Sequence, residues 1–327
     1  MEPPFAIVVG ASSGGVTALR ELAAGLPAEL PAAVGVVLHV GAQRSILPEL
    51  LNQHAKMPAR HAVDGEPLRR GTIYIAPPDR HLLFTPEGVR LSQGPRENHA
   101  RPAIDPLFRS AALHWRDCAV GVVLTGALDD GTAGLASIKA CGGTAIVQDP
   151  ATAFDPSMPR SALANVAVDQ CLPLGKIAPV LCERVERAVA IRHPVPDLLH
   201  REQAVFHGVQ PIDNLKAMAD PSTFTCPDCG GSLWEISDRK PIRYRCHTGH
   251  AYSVGSLQSL QTQQTEESLW TSIRSLQERE TLLRRLAGVA TATGDPQQAA
   301  AGIRAADRLR VQIRTLTELI KGEAPGA

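Results

Sequence analysis

The chain has 327 residues, 33 acidic and 33 basic side chains, and 44% hydrophobic residues. That length suits one large domain and a smaller one, and a formal net charge of zero supplies no overall field to draw the chain to nucleic acid or an acidic membrane surface. No apolar run approaches the ~20 residues of a membrane span and no charged-then-hydrophobic leader opens the chain, two absences that point to the cytoplasm.

In chain order, Phe5 to Val9 is a continuous apolar run, as expected of a strand buried on both faces. A glycine-rich turn from Gly10 to Gly15 follows, then helical spacing at Leu19, Leu22 and Leu26. Gly10, Ser12 and Gly14 fit G-x-S-x-G, a turn that lifts a serine hydroxyl above a sheet edge. The free N–H groups and dipole at the helix start suit a developing oxyanion. Such a turn also fits a phosphate or a dinucleotide, but that reading wants a second glycine at position 12 and an acid about 20 residues on. Position 12 is serine, and the next strand, Ala33 to Leu38, ends in His39.

Further along, Ser45 to about Ala55 reads as a helix and Thr72–Ala76 as a strand. Leu82–Phe84 and Val89–Leu91 read as a hairpin turned at Pro86-Glu87-Gly88. Ile104–Trp115 is amphipathic, and Val120–Leu124 is a second all-apolar strand leading into Gly126–Gly131 and a helix to about Cys141. Thr144–Val147 and Lys176–Ala190 supply a last strand and a closing helix. The alternation predicts an α/β fold: a doubly wound, mainly parallel sheet with helices on both faces. Sites on such sheets gather at the carboxyl ends of the strands, and Ser12, His39 and Asp130 each lie just past one. A satisfied core histidine and a helix-capping aspartate are the plain structural alternatives for the last two. The order Ser, His, Asp differs from the Ser, Asp, His of α/β-hydrolases.

The motifs VVGASSGG (8–15), VVLH (36–39), IYIAPPDRHL (73–82), RPAIDPLFRSAA (101–112), VVLTGALDDG (122–131) and MPRSAL (158–163) resemble those of the CheB protein-glutamate methylesterase catalytic domain. The resemblance covers residues 5 to about 190. It implies a serine hydrolase, with Ser12 as nucleophile, His39 as general base and Asp130 orienting that base. The implied reaction removes methyl esters from glutamate side chains of receptor proteins, releasing methanol, and in some members deamidates glutamine. It implies no cofactor for catalysis, methylated receptors as substrates, and contact with membranes only through those receptors. The Ser13 N–H, directly after the nucleophile, is the first oxyanion candidate, with Ala127 beside the substrate. Two departures stand out. The family usually has Gly-Met-Gly where this chain has Gly126-Ala127-Leu128, and it commonly has a receiver domain before the catalytic strand that here begins at Phe5. The expectation is a member without that switch; the alternative is a catalytically degenerate scaffold.

Residues 192–222, rich in Pro, His and charge, read as a linker between a catalytic domain (1–191) and a small module (223–255). Within the module, Cys226, Cys229, Cys246 and His250 have the spacing of a zinc ribbon, and a closed set of four ligands predicts a structural zinc. His250 is preferred over His247, which is adjacent to Cys246. Such a metal is expected to serve folding and leave the chemistry untouched. Arg239, Lys240, Arg243 and Arg245 raise a weaker reading of nucleic-acid binding, against which a solvated basic face is preferred, so no nucleic acid is expected. Residues 256–327 carry two apolar stripes, Leu269–Leu286 and Ile303–Ile320, separated by Gly294-Asp295-Pro296, and predict a helical hairpin with Asp295 as cap. The other cysteines, Cys118, Cys141, Cys171 and Cys182, read as small core hydrophobes.

Overall fold

Strand β1 (Phe5–Ala11) lies at the middle of a seven-stranded sheet, and every one of its residues is buried. Its side chains alternate between two cores, Phe5, Ile7 and Val9 facing one and Ala6 and Val8 the other. This is why the run has no polar face. The computed structural model describes residues 4–39, 44–187, 193–237 and 240–322.

Helix α1 (Gly15–Gly25), β2 (Ala32–Leu38), α2 (Leu47–Asn52), β3 (Ala59–His61) and β4 (Thr72–Ile75) follow β1. Next come the hairpin β5 (His81–Thr85) and β6 (Gly88–Ser92), α3 (Ile104–Trp115), β7 (Ala119–Val123), α4 (Thr132–Ala140) and β8 (Thr144–Gln148). Then α5 (Ser157–Asn165), β9 (Gln170–Leu172) and α6 (Leu174–Glu186) complete the sheet and its cover. The strand order is β3-β4-β2-β1-β7-β8-β9, and every pair is parallel. Helices α1 and α6 cover one face with Leu19, Leu22, Leu181 and Val185; α3 and α4 cover the other with Leu107, Phe108, Leu135 and Ile138. The doubly wound parallel sheet expected from the alternation is the one observed.

Several details differ from the sequence reading. Strands β3 and β9 have three residues each and helix α5 nine, lengths at which periodicity carries little signal. The closing helix ends at Glu186, and positions 188–190 of its expected span lie outside the described residues. Cys171 is exposed on the edge strand β9, so it is no core residue, whereas Cys141 is buried.

The stretch read as a linker is structured. Helices α7 (Asp197–Phe206) and α8 (Pro211–Met218) occupy it, because Leu199, Val205, Phe206, Leu215 and Met218 find apolar partners. Strands β10 (Ala219–Thr225), β11 (Ser232–Ile236), β12 (Arg243–Cys246) and β13 (Ala251–Ser253) form an antiparallel ribbon in that order. Ile236 and Ala219 of the ribbon share one small core with Val205, Leu215 and Met218. Met1–Leu257 accordingly forms a single compact unit. A buried ion cluster ties it together. Arg245 reaches Glu202 at 2.8 Å and Glu97 at 3.1 Å, while Arg109 pairs with Glu97 and Arg243 with Glu202. Burial pushes the Glu202 carboxyl up, but Arg243, Arg109 and Arg245 outweigh it and hold the group well below the usual carboxylate range.

The second unit is Gln258–Ala327. It contains most of α9 (Val254–Ala292) and α10 (Pro296–Lys321). Asp295 caps α10, its carboxylate accepting from the Gln298 N–H at 2.9 Å, with Pro296 in the first turn as expected. Ile273, Ala287, Ala290, Ala299, Ala306 and Leu309 are buried, whereas Leu286 and Ile303 of the expected stripes are exposed. The helices approach closely at Gly302, where a β-carbon would meet that of Ala287 at 3.0 Å, so small residues replace leucine at the contact. No helix among the described residues is long and apolar enough to cross a membrane.

Candidate active site

The sheet order brings the carboxyl ends of β2, β1 and β7 side by side, with β1 between its neighbours. Pairing continues past the strand ends: the His39 N–H donates to Ala11 O at 3.2 Å and the Ser12 N–H to Thr125 O at 3.0 Å. Ser12 and His39 are thus fixed by backbone bonds before their side chains are considered. Gly14 caps α1 in the left-handed region (φ 75°), where the turn needs glycine.

Ser12 Oγ lies 3.2 Å from His39 Nδ1, and His39 Nε2 lies 2.7 Å from Asp130 Oδ2. The aspartate can only accept, so Nε2 carries the proton and Nδ1 presents its lone pair to the serine hydroxyl. The two ring nitrogens exchange the places they hold in the serine-protease triad. His39 keeps partial access to solvent and Asp130 is buried.

Asp130 accepts four further hydrogen bonds. Oδ2 takes the Ile104 N–H at 2.7 Å; Oδ1 takes the Gly131 N–H and Asn98 Nδ2 at 2.9 Å and the Asp105 N–H at 3.3 Å. Burial raises the cost of its charge, but the His39 contact, the Ile104 N–H and the Asn98 amide more than compensate and hold its pKa to about 2. Ile104 and Asp105 open α3, whose preceding residue Ala103 offers no side-chain cap. Asp130 therefore caps α3 while bonded to His39, whereas the helix that starts beside it, α4, has Gly131 at its cap position and no side-chain cap. Asp105, close by, moves the other way: burial and then the Asp130 charge push its carboxyl well above its ordinary value.

The loop between β7 and Asp130 closes on the serine. At Gly126 a β-carbon would sit 2.8 Å from Ser12 Cβ and closer still to Met158, so only glycine fits. The N–H groups of Ser13 and Ala127 donate to no partner among the described residues. Leu128, where the family usually has glycine, adopts φ 60° with 46% of its surface exposed. Phe154, 80% exposed, packs over Gly14 and adds an apolar edge to the site.

A second cluster lies in the ribbon. One donor atom from each of Cys226, Cys229, Cys246 and His250 falls within 4.8 Å of the others. Cys229 and Cys246 Sγ are 3.7 Å apart, and His250 Nδ1 is 3.7 Å from Cys226 Sγ and 3.6 Å from Cys246 Sγ. A tetrahedral ion with metal–sulfur bonds of about 2.3 Å needs edges of about 3.8 Å, which these spacings match. His247 is not in the cluster; its ring stands against Gly231. Arg243 and Arg245 are buried in the ion cluster, so they offer no face to a phosphate backbone, and Arg239 lies outside the described residues.

Sequence reasoning missed the ties between these clusters. Asn98 bonds Asp130 and also the Ser253 N–H, and Ser253 Oγ donates to Asp129. The last strand of the cysteine module thus touches the neighbours of Asp130.

The family model of the CheB methylesterase matches residues 7–181. A Leptospira interrogans relative, provisionally named protein-glutamate methylesterase/protein-glutamine glutaminase, is 41% identical over 179 residues, covering 53% of this chain and 91% of that protein. Protein-glutamate methylesterase/protein-glutamine glutaminase 2 of Caulobacter vibrioides is 41% identical over 196 residues, 58% of this chain and 56% of its own length. The crystal structure of the Thermotoga maritima CheB methylesterase catalytic domain superposes with a TM-score of 0.53 at 33% identity, covering 55% of this chain and 97% of that one.

Proposed function

The chain belongs to the CheB methylesterase family and is a protein-glutamate methylesterase, and from that premise we propose that Ser12, His39 and Asp130 carry the hydrolysis. The unbroken hydrogen-bond chain through the three side chains supports this reading best. Ser12 Oγ attacks the γ-carbonyl carbon of a methylated glutamate and passes its proton to His39 Nδ1. The Ser13 and Ala127 N–H groups hold the oxyanion that forms. Collapse of the tetrahedral adduct breaks the bond to the methoxy oxygen, which takes the proton from Nδ1 and leaves as methanol. Water then attacks the acyl-serine, yields its proton to Nδ1, and the second collapse returns that proton to Ser12. Asp130 keeps the Nε2–H tautomer and stabilises the imidazolium in both halves. The same cycle with an amide in place of the ester releases ammonia, which is glutamine deamidation.

The substrates on this reading are methylated receptor proteins, and the enzyme works in the cytoplasm, meeting membranes only through them. Cys226, Cys229, Cys246 and His250 hold one structural zinc; a closed set of three thiolates and an imidazole leaves no position for substrate. Catalysis itself draws on no cofactor. Methanol release from a methylated receptor fragment tests the assignment. Ser12→Ala is expected to lower it on the order of 10⁶-fold, and near-full release by that variant would overturn the nucleophile.

A further inference from the structure

The side chain of Asn98 is shared between two parts of the chain about 155 residues apart. Its Nδ2 donates to Asp130 Oδ1 at 2.9 Å and to Asp105 Oδ2 at 3.1 Å. Its Oδ1 accepts the Ser253 N–H at 2.9 Å and the Ser256 hydroxyl at 2.8 Å. The second pair decides the first: with two donors fixed on the oxygen side, the NH2 can face only the carboxylates. The backbone is gripped as well. The Asn98 N–H donates to Ala251 O at 2.8 Å, and the Ala251 N–H to Arg96 O at 3.3 Å, so residues 96–98 lie against β13. Asn98 itself has φ 49°, a left-handed conformation that its surroundings must sustain. Ser253 Oγ holds Asp129, the residue before the triad aspartate, and Ser256 is buried.

On the reading that Asp130 orients His39, we propose that Asn98 is a positioning residue for the catalytic carboxylate and that the segment Ala251–Ser256, the last strand of the cysteine module and the first residues of α9, is the clamp that sets it. The amide stands between two buried carboxylates and donates to both, so it keeps Asp105 and Asp130 apart while fixing the second. When the clamp lets go, the amide is free to rotate, its left-handed backbone loses support, and Asp130 loses a donor. Folding of the module thereby governs turnover at a site to which it contributes no reacting group.

Steady-state hydrolysis of a small methyl ester by the chain Met1–Ala327 tests this, together with the downfield proton resonance of the His39 Nε2–H. Asn98→Ala is expected to lower kcat roughly ten- to hundredfold with KM unchanged, as loss of one hydrogen bond to a charged group implies, and to shift that resonance. Ser256→Ala, which removes a donor from Asn98 and touches nothing catalytic, should move both in the same direction by less. In an Asp130→Asn background, with Ser12 labelling by a fluorophosphonate as the readout, Asn98→Ala should add nothing. Equal losses in both backgrounds, or an unchanged kcat and resonance in both single variants, would overturn the clamp while leaving the triad intact. Turnover that survives Asp130→Asn would overturn the triad reading and the clamp with it.

Discussion

The edge of the parallel sheet and the cysteine ribbon both gather polar side chains, yet they hold them differently. At the sheet edge, Ser12 and His39 follow strands whose residues are buried in two hydrophobic cores, and backbone pairing fixes their positions. The ribbon shares a small apolar cluster with α7 and α8, contains the Arg243 and Arg245 ends of the Glu97–Arg109–Glu202–Arg243–Arg245 cluster, and gathers Cys226, Cys229, Cys246 and His250, the four residues proposed to hold zinc. Where apolar burial determines the backbone, a polar group can be exchanged at the expense of function alone. Where polar links determine the backbone, each exchange is felt in the fold.

Removing the metal should draw that contrast most sharply. Zinc in ribbons contributes on the order of 10 kcal/mol to folding, so chelation or Cys226→Ser should release one zinc per chain, change Trp234 fluorescence and expose the β10–β13 amides to hydrogen exchange. Amides of β1 and β7 should stay protected; if they exchange in step with the ribbon, the two regions do not differ as described. Asp130→Asn comes next, with activity down about 10⁴-fold. It also breaks the contrast deliberately, because Asp130 serves the fold as the cap of α3. Its folded pKa of about 2 lies below its ordinary 3.8, so its stabilisation is complete above 3.8 and disappears as pH falls through about 2. The stability difference between wild type and Asp130→Asn, roughly 2 kcal/mol from the aspartate charge, should narrow over that window in denaturant melts.

Glu202→Ala should cost about 3–5 kcal/mol, because it strands buried guanidinium groups. Arg284→Ala, which breaks an exposed pair with Asp307, should lower the melting temperature far less, because water screens that pair. Equal losses in thermal melts would mean that the buried cluster is not what holds the ribbon. The smallest effect concerns Leu128. A left-handed leucine costs about 1 kcal/mol, partly offset by the entropy of a glycine replacement, so Leu128→Gly should leave the melting temperature unchanged or slightly higher. A clear drop would show that the exposed side chain contributes packing of its own.

The same contrast explains what could be read from the sequence. The strand, turn and helix of residues 5–26 were legible because every position in them repeats one message, buried strand or amphipathic helix. Three strand ends were enough to bring Ser12, His39 and Asp130 to one edge, and cysteine spacing was enough to bring Cys226, Cys229, Cys246 and His250 together. Helices α7 and α8 were not legible: Leu199, Val205 and Phe206 are sparse, and Pro194, Pro196, Gly208 and Pro211 around them read as loop. Nor was Asn98, an unremarked polar residue until folding brings Ser253 and Ser256 to it. Burial of Arg243 and Arg245 likewise depends on Glu97 and Glu202, far away in sequence. Local patterns reveal what apolar periodicity and ligand spacing determine; long-range polar pairing leaves no local trace.

The double duty of Asp130 bears on how divergent copies of this fold should be interpreted. A lineage released from selection for hydrolysis can replace Ser12 or His39 freely, since neither side chain caps a helix or fills a core. It cannot so easily discard the aspartate, whose loss uncaps α3 and leaves the Ile104 and Asp105 amides without an acceptor. An aspartate retained at this position is therefore poor testimony of activity. The informative absences are a missing serine in the turn after the first strand and a missing histidine at the end of the second.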